Sequence, residues 1–289
     1  MEKILRLGYS PCPNDTFIFY AMANGKINLE AHRLDITLAD VEVLNRMARD
    51  SILDVTKVST HAILNLLDDY WLLRSGGALG HGCGPLVVAK ESTTMDRLRD
   101  KSIAIPGRMT TAHLLLELHG SHRGPRVEMP FDSIMPAVAQ GKVEAGVIIH
   151  EGRFTYPSMG LQLALDLGKW WEDQTGLPLP LGGILMRRSL GRSAAERMQA
   201  AIHESILYAR KNPQEAWPYI ELHAQEMEPD VIRRHIEMFV NDFTLDVGNE
   251  GQRAIRFLLE TASRQENIPI RHSAIFWDED DSSFPESKF

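Results

Sequence analysis

The segment His150-Glu151-Gly152-Arg153-Phe154-Thr155-Tyr156 places an imidazole, a carboxylate, a guanidinium and two hydroxyls directly behind the apolar run Val147-Ile148-Ile149. A run of that length reads as a buried strand, so His150 stands where a side chain leaves the core and enters a cleft. Imidazole is the side chain best suited to take a proton near neutral pH, which makes His150 a candidate base. Glu151, Arg153, Thr155 and Tyr156 follow at once and are placed to orient the ring or bind an anion.

Three hydroxyl- or amide-bearing helix starts, Asn14-Asp15-Thr16, Ser59-Thr60 and Thr110-Thr111, each follow a strand-like run. Taken singly they are helix N-caps. Facing one cleft, they would present N–H groups and hydroxyls to a carboxylate without any lysine. Cys12 and Cys83 are the only cysteines, too few for a disulfide framework. Cys12, beside a predicted helix start, would have its thiolate favoured there. The pairs and groups His81/Cys83 and His113/His119/His122 match no zinc spacing, so no metal is expected. Trp71, Trp170 and Trp171 read as packing residues.

The elements that must position these groups alternate. Ile4 to Tyr9 is a predicted strand, and Thr16 to Ala23 a helix with Asn14 or Asp15 at its N-cap. Asp35 to Ala39 and Leu53 to Val58 repeat the pattern, with Asp40 capping one following helix and Ser59-Thr60 the next. Three such repeats predict an α/β sheet with mostly parallel strands. The glycine-rich passage Ser75 to Pro85 lacks a Gly-Lys-Ser/Thr ending and precedes a strand, so it reads as an irregular loop and not a phosphate cradle. A compact β-α-α-β unit follows between Ser102 and Ile149. From Ser193 to about Glu266 the periodicity is helical, broken at Pro213, Pro229 and Gly248, and Asp278 to Asp281 reads as a solvated acidic tail.

This order predicts a chain that crosses between two lobes twice. The larger lobe is expected to comprise 1–88 and 184–289, the smaller inserted lobe 89–183, with hinges near Pro85 to Ala89 and Pro180 to Ile184. A ligand would sit between them, where strand ends and helix N-termini converge. The net charge of -8 and the absence of a Lys/Arg run argue against a nucleic-acid partner. The opening residues show no signal-peptide pattern and no apolar stretch reaches the ~18 residues of a span, so a cytoplasmic protein off the membrane is expected.

Several segments together carry a resemblance: Gly8-Tyr9-Ser10-Pro11-Cys12-Pro13-Asn14-Asp15-Thr16-Phe17-Ile18-Phe19, Lys57-Val58-Ser59, Leu73 to Gly80, Gly84-Pro85-Leu86-Val87, Pro106-Gly107, and His150 to Tyr156. The chain resembles the 1,4-dihydroxy-6-naphthoate synthase family of the futalosine route to menaquinone, over most of 1–190. That resemblance implies a two-lobed, periplasmic-binding-protein-like (type II) fold and a lyase that works without metal or organic cofactor. It implies cyclic dehypoxanthine futalosine, a small aromatic carboxylate, as substrate. The family's histidine base falls on His150. Its substrate-holding positions fall on Ser59, Thr110 and Thr111, joined by Ala112, Asn14 and Lys57, with the order of Thr110 and Thr111 left open. Two alternatives stand beside this reading: a small-anion binding module on the same fold, and the sister chorismate dehydratase of the same pathway.

Overall fold

A computed structural model describes residues 3–29, 32–225 and 228–280. The chain opens with β1 (Lys3–Tyr9), α1 (Pro13–Ala23), β2 (His32–Leu38), α2 (Val41–Arg49), β3 (Val55–Ser59), α3 (Thr60–Ile63), β4 (Tyr70–Leu72) and β5 (Ala78–Gly80). A second group follows: β6 (Leu86–Ala89), α4 (Met95–Leu98), β7 (Ile103–Ile105), α5 (Thr111–His119), β8 (Arg126–Glu128), α6 (Phe131–Ala139), β9 (Ala145–Ile148), α7 (Gly152–Thr155), β10 (Gln162–Asp166) and α8 (Leu167–Thr175). The chain then returns through β11 (Leu179–Arg187) to α9 (Arg192–Lys211), α10 (Pro213–His223), α11 (Pro229–Phe239), α12 (Asp242–Leu245) and α13 (Gly248–Glu266).

These strands form two sheets, in the orders β2-β1-β3-β11-β4 (with β5 also on β11) and β10-β6-β9-β7-β8. The first sheet is mixed, where the sequence predicts mostly parallel strands. β1 pairs in parallel with β2 and β3, but β11 runs antiparallel to β3, β4 and β5. The returning chain enters beside β3 from the opposite end, a pairing that strand periodicity cannot announce. The middle unit also holds a strand the sequence reading passes over, β8, a three-residue edge strand beside β7 whose Arg126 and Glu128 mask it.

Local chemistry explains the elements near the cleft. β3 is buried along its whole length, so its Lys57 must find an anion inside the protein. α2 starts at Asp40, whose carboxylate accepts from Glu42 N at 2.8 Å. α1 starts at Cys12 with Pro13 in its first turn and no side-chain cap, so neither Asn14 nor Asp15 is the N-cap. Both side chains turn inward instead. Pro213 and Pro229 each open a helix, as does Gly248.

The cores follow the sheets. Leu7, Tyr9, Phe19 and Ile184 pack with α9 and α10 residues such as Ile202 and Ile220. Val88, Ala104, Ile134 and Val138 form a separate cluster on one face of the second sheet. A third cluster, including Val87, Leu115, Trp171, Leu185 and Leu258, joins the two sheets behind the cleft. The acidic end is not a free tail. Asp278 pairs with Arg74 at 2.8 Å, and Glu279 pairs with Arg256 and accepts from Ile275 N and Phe276 N. Asp281 lies outside the described residues. Among the described residues no helix is long and apolar enough to cross a membrane.

The two sheets meet across a cleft that is bridged in this conformation. The Glu42 carboxylate accepts from Met109 N at 3.2 Å, and Arg46 pairs with Glu128. Gly107 leaves room for this contact, since a Cβ there would stand 2.4 Å from the Glu42 carboxylate carbon. Burial raises the Glu42 carboxyl above the usual carboxylate value, against the hydrogen bond from Asn45 and the charge of Arg46.

Candidate active site

A cavity opens between the sheets, where small-molecule sites of such folds lie. Asn14, Lys57, Ser59, Thr110, Thr111, Ala112 and His150, all expected as site residues from the sequence, line it. They come from the ends of β3 and β9 and from the first turns of α1 and α5, so helix N-termini and strand ends converge as expected for an open α/β cleft.

His150 lies two residues beyond β9 with φ at +55°, a left-handed conformation that non-glycine residues rarely adopt. Such strain gathers at functional sites because the surrounding fold must hold it. Phe131 packs against the ring at 4.9 Å between centroids, and Nε2 is buried with no hydrogen-bond partner. Arg234 of α11 stacks on Phe154 at 4.5 Å, which ties the His150 to Tyr156 segment to the opposite lobe.

Opposite His150 stands His235, which the sequence reading missed. Its ring faces that of His150 at 6.2 Å and 23° between planes, and its side chain is 1% exposed. A signal was present: Ile232, His235 and Phe239 recur on the buried stripe of α11 at helical spacing. Nε2 of His235 lies 2.9 Å from Asn14 Oδ1, while Asn14 Nδ2 donates to Asp15 Oδ1 at 2.8 Å. The Asn14 amide is thereby oriented with its oxygen toward the ring, so His235 carries its proton on Nε2 and a lone pair on Nδ1. Burial takes His235 down to about 4, with the Glu151 charge opposing that shift and His150 adding to it, so the ring is neutral near pH 7.

Asp15 is the hub beneath the cavity. Its carboxylate accepts from Lys57 Nζ at 2.9 Å, from Asn14, and from the hydroxyl and amide of Ser10 at 2.7 and 3.2 Å. Lys57 also donates to Gly76 O at 3.2 Å. The cationic Lys57 is therefore held within an ion pair. Arg153 is similarly engaged, donating to Gly84 O and to Asp166 at 2.8 Å. An anionic ligand must accordingly be held by neutral donors.

Such donors are present at α5. Thr110 caps the helix, accepting from His113 N at 3.2 Å and donating to Gly107 O at 2.7 Å. Thr111 donates to Leu181 O at 2.9 Å and accepts from His61 N at 3.3 Å. Both hydroxyls are thus committed to the chain, whereas no acceptor among the described residues takes the buried amides of Thr111 and Ala112. Ser59 is held by Asn45, which donates to its Oγ at 3.2 Å and accepts from its amide at 2.9 Å.

Cys12 is not the activated thiol its position suggests in sequence. Burial, then the Glu151 carboxylate, push it well above the ordinary thiol value against the Ser10 hydroxyl. Among the described residues Cys12, His150 and Glu151 form a group whose candidate ligand atoms all lie within 4.8 Å of one another.

A family profile described as menaquinone biosynthesis matches residues 5–264. A 1,4-dihydroxy-6-naphthoate synthase of Thermus thermophilus is 51% identical over 260 residues, 90% of this chain and 94% of that protein. One of Streptomyces coelicolor is 47% identical over 92% of this chain and 95% of its own length. Among solved structures, a protein of Archaeoglobus fulgidus superimposes with a TM-score of 0.86 at 38% identity, covering 92% of this chain and 98% of its own. The alkanesulfonate-binding protein of Xanthomonas axonopodis pv. citri shares the fold with a TM-score of 0.67 at 13% identity, covering 92% and 94%.

Proposed function

The chain belongs to the 1,4-dihydroxy-6-naphthoate synthase family of menaquinone biosynthesis, and from that premise we propose that it is a lyase converting cyclic dehypoxanthine futalosine to 1,4-dihydroxy-6-naphthoate with His150 as general base. The substrate's benzoate-type carboxylate rests on the free amides of Thr111 and Ala112, where the α5 N-terminus favours negative charge. His150 removes a proton, the sugar-derived part leaves as a carbon–carbon bond breaks, and formation of the new aromatic ring drives the step. No metal or organic cofactor takes part in this chemistry.

The observation that carries this reading is His150 itself: a strained backbone holds a ring whose Nε2 has no partner in the chain, on the wall of a cavity that also contains the α5 amides. Ser59, Asn14 and Lys57 complete the wall, Asn14 and Lys57 acting through Asp15 and His235. The site works in the cytoplasm on this reading, where its two free thiols stay reduced. The lobes are 1–88 with 184–289, and 89–183. Their boundaries fall within β6 and β11, close to where the chain passes between the sheets, and closure about those passages would shield the proton transfer from water.

The test is incubation of the protein with cyclic dehypoxanthine futalosine and detection of the dihydroxynaphthoate. His150→Ala is expected to bind substrate and to lower turnover by about 10²–10⁴-fold, the usual range for a positioned base. Near-normal turnover in that variant would refute His150 as base, and no product from the unaltered protein would refute the substrate.

A further inference from the structure

We propose that Cys12, His150, Glu151 and His235 form a site for a thiophilic divalent cation of the zinc type, and that the cation inhibits the enzyme by closing it in an inactive state. Three electron-pair donors converge beside the substrate cavity, and His235 stands farther off behind Glu151 as a fourth. A ring nitrogen of His150, the Cys12 sulfur and a Glu151 oxygen lie within 4.8 Å of one another, and Nδ1 of His235 lies 3.8 Å from Glu151 Oε1.

The pattern of hydrogen bonds points to a cation. Asn14 holds the His235 proton on Nε2, so the Nδ1 lone pair faces the Glu151 carboxylate, and two like electron-rich atoms are buried together. Nδ1 of His235 and Nε2 of His150 are both buried without hydrogen-bond partners, and no donor among the described residues reaches the Glu151 carboxylate. Buried polar atoms are otherwise paired in folded proteins, and positive charge beside these two ring nitrogens and the carboxylate would satisfy them together.

The donor set also selects the ion. One sulfur, two imidazoles and one carboxylate suit zinc or cobalt, whereas magnesium and calcium prefer oxygen ligands. Zinc bonds of about 2.0–2.3 Å place tetrahedral ligands about 3.3–3.7 Å apart, so Cys12, His150 and Glu151 need contract by only about 1 Å, while His235 has farther to move. The cation would supply what burial denies the Cys12 thiol, stabilising its thiolate as the proton leaves to solvent.

Cys12 and His235 belong to elements packed with the first sheet, α1 and α11, while His150 and Glu151 follow β9 of the second. One ion would therefore pin the two lobes together and occupy the His150 lone pair. The inhibitory consequence rests on His150 being the base; the binding does not.

Chelator-treated full-length protein titrated with Co²⁺ is expected to bind one equivalent and to develop a thiolate-to-cobalt charge-transfer absorption. Cys12→Ser and Cys12→Ala, which leave the cavity wall intact, should lose that absorption while keeping metal-free turnover and the thermal midpoint. Zn²⁺ should inhibit the unaltered enzyme reversibly on adding chelator, and loss of the sulfur ligand should raise the half-inhibiting concentration at least about tenfold. His235→Gln should weaken cobalt binding while retaining the sulfur signal. Absence of the absorption in unaltered protein, or its persistence in both Cys12 variants, would overturn the site. The absorption without zinc inhibition would overturn the inhibitory part and count against His150 as base.

Discussion

His235 donates through Nε2 to Asn14 Oδ1 at 2.9 Å, joining residues 221 positions apart in the chain. Asn14 passes the interaction to Asp15, and Asp15 to Lys57, so one buried polar chain runs from α11 to β3 under the cavity. A glutamine can reproduce an amide donor near Nε2, whereas leucine leaves Asn14 unpaired. His235→Leu is therefore expected to cost about 1–3 kcal/mol in denaturant unfolding, the usual penalty for stranding a buried polar group. His235→Gln should recover most of it, and equal loss in both variants would show that the hydrogen bond is not what stabilises α11.

The backbone at His150 separates strain from chemistry. His150→Gly relieves the left-handed conformation that His150→Ala retains, at a per-residue cost of roughly 1–2 kcal/mol. The glycine variant should melt above the alanine variant, while both lack the imidazole and turn over slowly. A glycine variant that melts below alanine would mean that φ +55° carries no strain here.

Lys57 and Asp15 are both buried, and each is the other's counter-ion. Lys57→Met strands the carboxylate and is expected to destabilise the protein by about 3–5 kcal/mol, as measured for broken buried pairs. Adding Asp15→Asn should restore part of that loss. Additive losses in the double variant would refute the pairing.

Thr110 and Thr111 should behave differently although they are adjacent. Thr110→Ala removes an N-cap and should cost about 1 kcal/mol of stability. Thr111→Val removes the bonds to Leu181 O and His61 N that join α5 to β11 and α3. We expect it to raise KM more than it lowers stability, because it shifts the amides on which the carboxylate rests. Unchanged KM in Thr111→Val would place the anion elsewhere.

Arg6 and Asp54 give a pH signature away from the site. Burial alone would raise the Asp54 carboxyl, but the hydrogen bonds and charge of Arg6 outweigh it and hold the group below the usual carboxylate value. The unfolded chain then binds the proton more readily than the folded one. The contribution is fully present above the unfolded value of about 3.9 and is lost as pH falls through the lower folded value. The stability gap between the unaltered protein and Asp54→Asn should accordingly be wide at pH 7 and shrink toward pH 3 in denaturant titrations. A gap independent of pH would contradict this assignment.

Local patterning made much of the molecule legible. The abrupt stop of the apolar run at Ile149 marked His150 as leaving the core, and the cap residues before α2 and α5 marked helix starts that line or abut the cleft. These signals survive because capping, strand burial and helix periodicity act over a few residues. Two readings failed where the deciding partner lay far away. Asn14 and Asp15 have the chemistry of caps, but His235 and Lys57 claim their side chains. Asp278 and Glu279 have the composition of a tail, but Arg74 and Arg256 fasten them.

The strand–helix alternation from β1 to α3, the strand end carrying His150 and the hydroxyl-bearing helix starts were determined by the sequence alone. Only the tertiary structure decided that β11 returns antiparallel beside β3, that Arg153 is engaged by Asp166, and that His235 faces His150. The physical reason is burial. A charged or polar group removed from water must be paired, and which distant group meets it depends on how the sheets and helices pack.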